Sequence, residues 1–400
     1  MSFVNITCWY DGADLGVNYT IARDEYSCEH FASCTCPPLE ADPDIAGIGV
    51  TVAFAISASL TLLSTIACLL LHRSNDAYTL NPIDRVMRGV FCERIRRKLL
   101  PEQADMWSDI LRDMVQCLSD QQLVTGIAIL VTALKLFAES TITVYHFSIA
   151  LDLVWFSSNT HLLSLAILRS YGESVKPFRM EPSAPSDKCR TRDPKQQLRY
   201  ATLLRAILMD IMAVLLLYAN WIAGFAGWYD TFECPARCTT SYAKGGEPLQ
   251  WMITNFALIL YEYPLALFLL WRTGRNYWMS HIRSAFIDKK GLKPACDHAQ
   301  QSENPARRSK LRFLKSIILM TWYTFSSETV EVLVQIAWHA IGYWSLFADR
   351  AFGQTIMSRE ERADENDLTI GQLVPLLLLL LLFIQFCESY AEHSSRNHKR

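Results

Sequence analysis

Apolar residues in this chain gather into long runs separated by polar connections. Seven runs approach or exceed the roughly 20 residues a helix needs to cross about 30 Å of hydrocarbon. They lie near 45–71, 121–140, 146–170, 201–224, 249–271, 313–342 and 368–388. The pattern predicts an all-α polytopic bundle of seven transmembrane helices spread over 45–388, with no appended soluble domain and no internal repeat. A shorter pattern precedes the second run: Met106, Trp107, Ile110, Leu111, Met114 and Leu118 recur at three- and four-residue steps, and Asp105, Asp109, Arg112 and Asp113 take the other face. This predicts an amphipathic helix over 103–120 packed against the inner face of the bundle.

Charge sets the orientation. The connections 72–120, 171–200 and 272–312 and the tail after 389 hold 28 of the 38 lysines and arginines, whereas 1–44, 141–145, 225–248 and 343–367 hold six. Cytoplasmic loops retain positive charge, so the amino terminus is expected outside and the tail 389–400 in the cytoplasm. The amino-terminal "MSFVNITCWYDG" has neither a basic segment nor an apolar core, so the first span is expected to act as its own signal. A plasma membrane or another membrane of the secretory route follows.

The cysteines and sequons agree with that orientation. Cys8, Cys28, Cys34, Cys36, Cys234 and Cys238 fall on the outer side, an even set that reads as up to three disulfides in an oxidising compartment. Cys234 and Cys238 can pair with each other or tie their loop to the amino-terminal segment. Asn5-Ile6-Thr7 and Asn18-Tyr19-Thr20 are the N-x-[ST] sites, and both lie on the same side. The segment 1–44 is thus a short glycosylated, disulfide-bonded ectodomain. Cys34 and Cys36 are too closely spaced for the usual zinc pair.

Polar residues inside the spans carry the candidate chemistry, because a charge at mid-bilayer costs roughly 2.5–3.5 kcal/mol on insertion scales. Thr324, Glu328, Glu331, Gln335 and His339 follow steps of four, three, four and four, and fall within an arc of about 80° on one helix. Asp210 in the fourth span and Glu262 in the fifth sit at similar depth, with Asn255 seven residues before Glu262 and Pro264 just after it. Asp152 is placed to neutralise Lys135, itself one turn from Glu139. The third span carries "SSNTH", with Asp152 and Asn159 on one face and Ser157, His161 and Ser164 on another. Polar groups all round mark that helix as the hub and organiser of the bundle. Together these predict a polar intramembrane cavity bounded by the third to sixth spans. The plainer alternative is that the same groups fasten helix to helix.

Several chemistries are set aside. The seventh span has no lysine for a retinal Schiff base. His146, His161 and His339 lie in different depth layers, so neither haem nor a metal is expected, and no cofactor is called for. There is no aspartate box for a prenyl diphosphate, no nucleotide-binding glycine loop and no inverted repeat. Nothing points to nucleic acid.

Three stretches carry a resemblance: "PPLEADPDIAGIGVTVAF", "CLSDQQLVTGIAIL" and "YHFSIALDLVWFSSNTHLLSLAILR". Together they resemble a large group of uncharacterised seven-helix membrane proteins of filamentous fungi, over mainly the first 170 residues. The resemblance implies a seven-helix fold and a fungal origin but no activity. "LRSY" ends the third span where rhodopsin-like receptors carry D-R-Y, and no motif aligns with the small seven-helix terpene cyclases of fungal gene clusters.

The expected function is receptor-like sensing of a ligand or lipid. In that reading the long basic inner loops, 272–312 above all, meet a cytosolic partner or anionic lipid. The alternatives are a membrane enzyme of terpenoid cyclase or isomerase type acting on an apolar small molecule, or an accessory protein of a fungal secondary-metabolite pathway. In the enzyme reading Glu328 or Glu331 donates a proton, and Asp210 or Glu262 stabilises a cation or acts as base.

Overall fold

The computed structural model describes residues 3–8, 17–22, 28–31, 33–71, 82–96, 101–171, 194–270 and 327–398, with isolated positions between 310 and 324. Among these, two strands precede a helical array: β1 (Phe3–Cys8), β2 (Val17–Ala22), α1 (Cys28–Phe31), α2 (Pro43–Ala46), α3 (Ile48–Leu71), α4 (Pro82–Met87), α5 (Glu93–Arg96), α6 (Pro101–Ala138), α7 (Val144–Tyr171), α8 (Pro194–Ala223), α9 (Gly246–Leu270), α10 (Glu328–Ile356), α11 (Arg359–Asn366) and α12 (Ile370–His398). A π-helical turn, Arg88–Cys92, joins α4 to α5. Five stretches of the described residues are long and apolar enough to cross a membrane: Pro43–Leu71, Gln103–Ala138, Leu203–Ala223, Gly246–Phe268 and Arg359–Glu392. Helices α7 and α10 fall outside that set. The basic stretches 172–193 and 271–309, where a cytosolic partner is expected, lie outside the described residues.

Two helices differ from the sequence expectation. The amphipathic segment and the second span are one helix, α6, 38 residues long. Pro101 suits its first turn, and no further proline or glycine occurs before Gly126 to interrupt it. Its amphipathic part packs on the protein, with Ile110, Val115 and Leu118 buried and Trp107 against Phe386 and Tyr390 of α12.

The second difference is in the sixth run. In place of one helix over 313–342, the backbone is extended at Ser327 and α10 begins at Glu328, continuing to Ile356. Asp84 of α4, itself buried, explains the break: its Oδ1 accepts from the Ser327 hydroxyl at 2.7 Å and from the Thr329 N–H at 2.9 Å. The Ser327 hydroxyl in turn accepts from the Val330 N–H at 3.2 Å. A capped helix start has replaced mid-helix geometry, because these groups satisfy N–H donors that a helix end leaves open.

One end of the bundle is stapled. Disulfides join Cys8 to Cys34, Cys28 to Cys238 and Cys36 to Cys234, so the loop after α8 is tied to the amino-terminal segment and not to itself. That loop also caps α7: the N–H groups of Val144 and Tyr145 donate to the carbonyls of Cys234 and Phe232 at 2.9 and 3.1 Å. Trp228, buried, donates from its indole to Ser148 of α7 at 2.9 Å. Gly227 turns the chain into this stretch at φ 77°, a conformation that favours glycine.

Beside the staple, the buried Gln372 of α12 accepts from the Gly49 N–H at 2.8 Å and donates to the Asp367 carbonyl at 2.6 Å. A Cβ on Gly49 would lie 2.7 Å from the Gln372 Cβ, so this contact needs glycine. Nearby, Arg350 donates to the Ala46 carbonyl at 3.1 Å and to Asn366 at 2.8 Å, and pairs at 3.7 Å with Glu365, which is fully buried. Tyr145 donates to the same Glu365 oxygen at 3.0 Å. These bonds clamp α2, α7, α10 and α11 together.

Candidate functional site

Helix α7 packs against α2, α3, α6, α8, α9 and α10. Ser157, Ser158, Asn159, Thr160 and His161, the polar run of the third predicted span, are all buried. Each flank engages a different neighbour. Toward α6 and α3, the Ser157 hydroxyl donates to the Gln122 carbonyl at 2.5 Å, and the Gln122 amide donates to Ser57. Gly126 allows that approach, since a Cβ there would sit 2.3 Å from Ser157 Oγ. Ser164 bonds Ser119 at 2.8 Å. Toward α9, the Tyr263 hydroxyl lies 2.9 Å from both Ser158 Oγ and His161 Nε2. Asn255 of α9 donates to Asn220 of α8 at 2.6 Å.

The seam between α7 and α10 is different. Ser345 donates to Asp152 Oδ1 at 3.1 Å. The Phe156 ring stands edge-on to His339 and Tyr343, with centroids 5.2 and 5.0 Å away, and Trp155 meets Trp338 at 5.9 Å. These pairings run antiparallel. One turn beyond Phe156 comes Asn159, and one turn before His339 comes Gln335, so the register sets these two amides level with each other. Five polar atoms on this seam are buried without a hydrogen-bond partner among the described residues: Asp152 Oδ2, Asn159 Nδ2, Gln335 Oε1, and His339 Nδ1 and Nε2. His161 Nδ1 on the adjacent flank is in the same condition. Buried polar groups are ordinarily paired, so a run of unsatisfied donors and acceptors on one seam is the strongest local departure from closed packing.

Asp349 lies one turn beyond Ser345, close enough for its charge to act on Asp152. Burial pushes its carboxyl up to about 6. Burial also raises the Tyr229 phenol, with the charges of Asp349 and Asp152 adding to the effect.

The predicted site residues divide. Gln335 and His339 are buried on the seam. Glu328 and Glu331 occupy the opening turn of α10, where carboxylates complement the helix dipole; Glu331 is partly buried, and the Glu328 side chain lies outside the described residues. Thr324 precedes the break and donates to the Met320 carbonyl at 2.8 Å. The five-residue stripe is therefore not continuous. Asp210 is on the exposed side of α8, and Glu262 is partly buried on α9 beside the buried Tyr263. Lys135 pairs with Glu139 at 3.8 Å, not with Asp152, whose partner is Ser345. Among the described residues no group of three or more His, Cys, Asp or Glu is placed to hold a metal. A small cleft does form between α3, α6 and α12, lined by Ser57, Gln122, Thr125 and Pro375, with only ≈ 10 Å³ of free room, about enough for one water.

A fungal relative matches in part. Over 128 residues the chain is 34% identical to the "Elsinochromes biosynthesis cluster protein HP3" of Elsinoe fawcettii, a match covering 32% of this chain and 46% of the relative. The chain thus spans less than half of that relative's length. No family model matches the chain, and no solved structure matches it.

Sequence reasoning missed Tyr263, Tyr343, Asp349, Arg350 and Glu365. The signal for Tyr263 was available: Ile259, Tyr263 and Ala266 recur at helical spacing and form the buried face of α9, which turns Glu262 to the side. Asp349, Arg350 and Glu365 lay in a stretch read as an outer loop, so nothing marked them as packed.

Proposed function

We propose that this chain is an accessory multi-pass membrane protein of a fungal secondary-metabolite pathway, and that the α7–α10 seam is where it senses or binds an apolar small molecule bearing hydrogen-bonding groups. The observation that carries the reading is the set of unpartnered buried atoms on Asp152, Asn159, Gln335 and His339, framed by Phe156, Trp155, Trp338 and Tyr343. Donors and acceptors inside an aromatic-lined apolar wall are the usual means of orienting such a ligand. The similarity to a biosynthetic-cluster protein supports the pathway context. In this reading α7 and α10 complete a seven-helix bundle with the stapled end outside, the tail in the cytoplasm, and Asn5 and Asn18 carrying glycans.

A binding role is favoured over catalysis because the candidate acids do not converge: Asp210 is exposed on α8, while Glu331 opens α10. The test is a deletion strain complemented with wild-type protein or with the Asn159→Leu/Gln335→Leu double variant, profiled by mass spectrometry. The expected result is the same set of pathway products at altered yield or export in the deletion, restored by wild type and not by an equally abundant double variant. Accumulation of a chemically distinct precursor in the deletion strain would favour the enzyme reading instead. Full rescue by the double variant would remove the seam as the site.

A further inference from the structure

The outward face of α8 carries one residue that lipid cannot accommodate. Leu203, Ile207, Asp210, Val214, Tyr218 and Trp221 are all exposed and follow steps of four, three, four, four and three. Eighteen residues are five full turns, so these positions form a straight ridge about 27 Å long, nearly the thickness of the hydrocarbon. Trp221 marks one boundary. Its ring stacks on Tyr218, Lys244 Nζ sits 4.3 Å from its centroid, and Lys244 also donates to its carbonyl. Aromatic rings with a lysine belong at the headgroup level. Asp210 lies eleven residues away, about 16 Å deeper along the helix and close to half the slab.

No hydrogen bond or ion pair engages Asp210 among the described residues, and the nearby Arg205 is committed to both oxygens of Asp120 at 2.6 and 2.5 Å. An aspartate side chain is too short to reach an interface as lysine and arginine do. The five apolar positions of the ridge are content in lipid, but the sixth is not.

We propose that this ridge is the interface of a homodimer, with α8 of one copy packed along α8 of a second. A two-fold axis along the membrane normal sets like against like, so each ridge meets its own copy in the same register. It also brings the two Asp210 side chains together, where each supplies what the other lacks: two carboxyls hydrogen-bond through one shared proton, a complement that an acyl chain cannot offer. Single polar residues in an apolar helix seam fix register in this way. The proposal assigns Asp210 to assembly and is independent of the ligand seam, which lies on the other side of α7.

The test uses the full chain in mild detergent and in lipid nanodiscs, with mass read by light scattering and by subunit counting. Wild type is expected as a dimer, and Asp210→Asn is expected to retain it, because paired amides hydrogen-bond as well. Asp210→Leu and Val214→Trp should each weaken association at least tenfold while leaving the thermal unfolding midpoint of the monomer unchanged. A wild type that is monomeric at every concentration overturns the proposal. So does dimerisation of Asp210→Leu and Val214→Trp at wild-type strength.

Discussion

Asp349→Asn separates the electrostatics of the stapled end from its packing. Asp349 sits partly buried near Asp152 and Tyr229, and burial holds its carboxyl at about 6, against an ordinary 3.8. A carboxyl raised in the folded state binds its proton more tightly there than in the unfolded chain. Its contribution to stability is therefore fully present below about pH 4 and is lost as pH rises through about 6. Two pH units at 1.36 kcal/mol each make the wild type roughly 3 kcal/mol less stable at pH 7.5 than it would be with a neutral group at this position.

Asparagine is such a group, nearly isosteric and uncharged. The variant should already exceed wild type by about 1 kcal/mol at pH 4.5, where the unfolded carboxyl is largely ionised, and by progressively more up to pH 7.5, where the gap approaches that ~3 kcal/mol. The assay is thermal unfolding in detergent, followed by tryptophan fluorescence, with both proteins measured across pH 4.5–7.5. Other groups titrate in this interval, and taking the difference between variant and wild type removes those that do not feel Asp349; Asp152 does, and its response is part of the difference. A difference that stays constant across the range, or that favours wild type at pH 7.5, would refute the reasoning.

Three further outcomes are expected. Arg350→Met should cost about 3–5 kcal/mol, read as a lowered unfolding midpoint, because it strands the fully buried Glu365 without its cation. The two long-range disulfides should be non-additive. Losing either one with the other intact opens a ring of only about a dozen residues and costs about 3 kcal/mol, so the two single losses should match, whereas losing both also releases a 210-residue loop and costs more than twice as much; a double loss no larger than the sum of the two single losses would contradict this. Asn5→Gln and Asn18→Gln should each speed electrophoretic migration by one glycan, and glycosidase treatment should erase the differences. If the enzyme shifts nothing, the outside placement of the amino terminus fails.

The helices were legible because long apolar runs admit few alternatives; α7, α8, α9 and α12 begin and end within several residues of the runs that predicted them, apart from α12 continuing to His398. The break at Ser327 was not legible. It depends on Asp84, 243 positions earlier, reaching the start of α10, and helical periodicity carries no information about a cap supplied from elsewhere. The same limit explains the acids. Spacing places Thr324, Glu328 and Glu331 in one stripe only if the helix is continuous, and it cannot tell that Asp210 faces out while Met209 and Met212 face in. Polar residues on all sides of α7 gave the clearer message, since a helix with no apolar flank has to be surrounded.

The staple also sets a schedule for biosynthesis. Cys36 and Cys234 are 198 residues apart, and Cys28 and Cys238 are 210 apart. At 5–20 residues per second, the amino-terminal thiols wait roughly 10–40 s for partners that have not yet been made. Cys34 has its own partner, Cys8, from the start, and that early bond takes two thiols out of competition. The Cys8–Cys34 bond therefore acts as a holding device: it narrows the choices left to Cys28 and Cys36 until the loop after α8 arrives, and the stapled end is finished only once more than half of the chain has been synthesised.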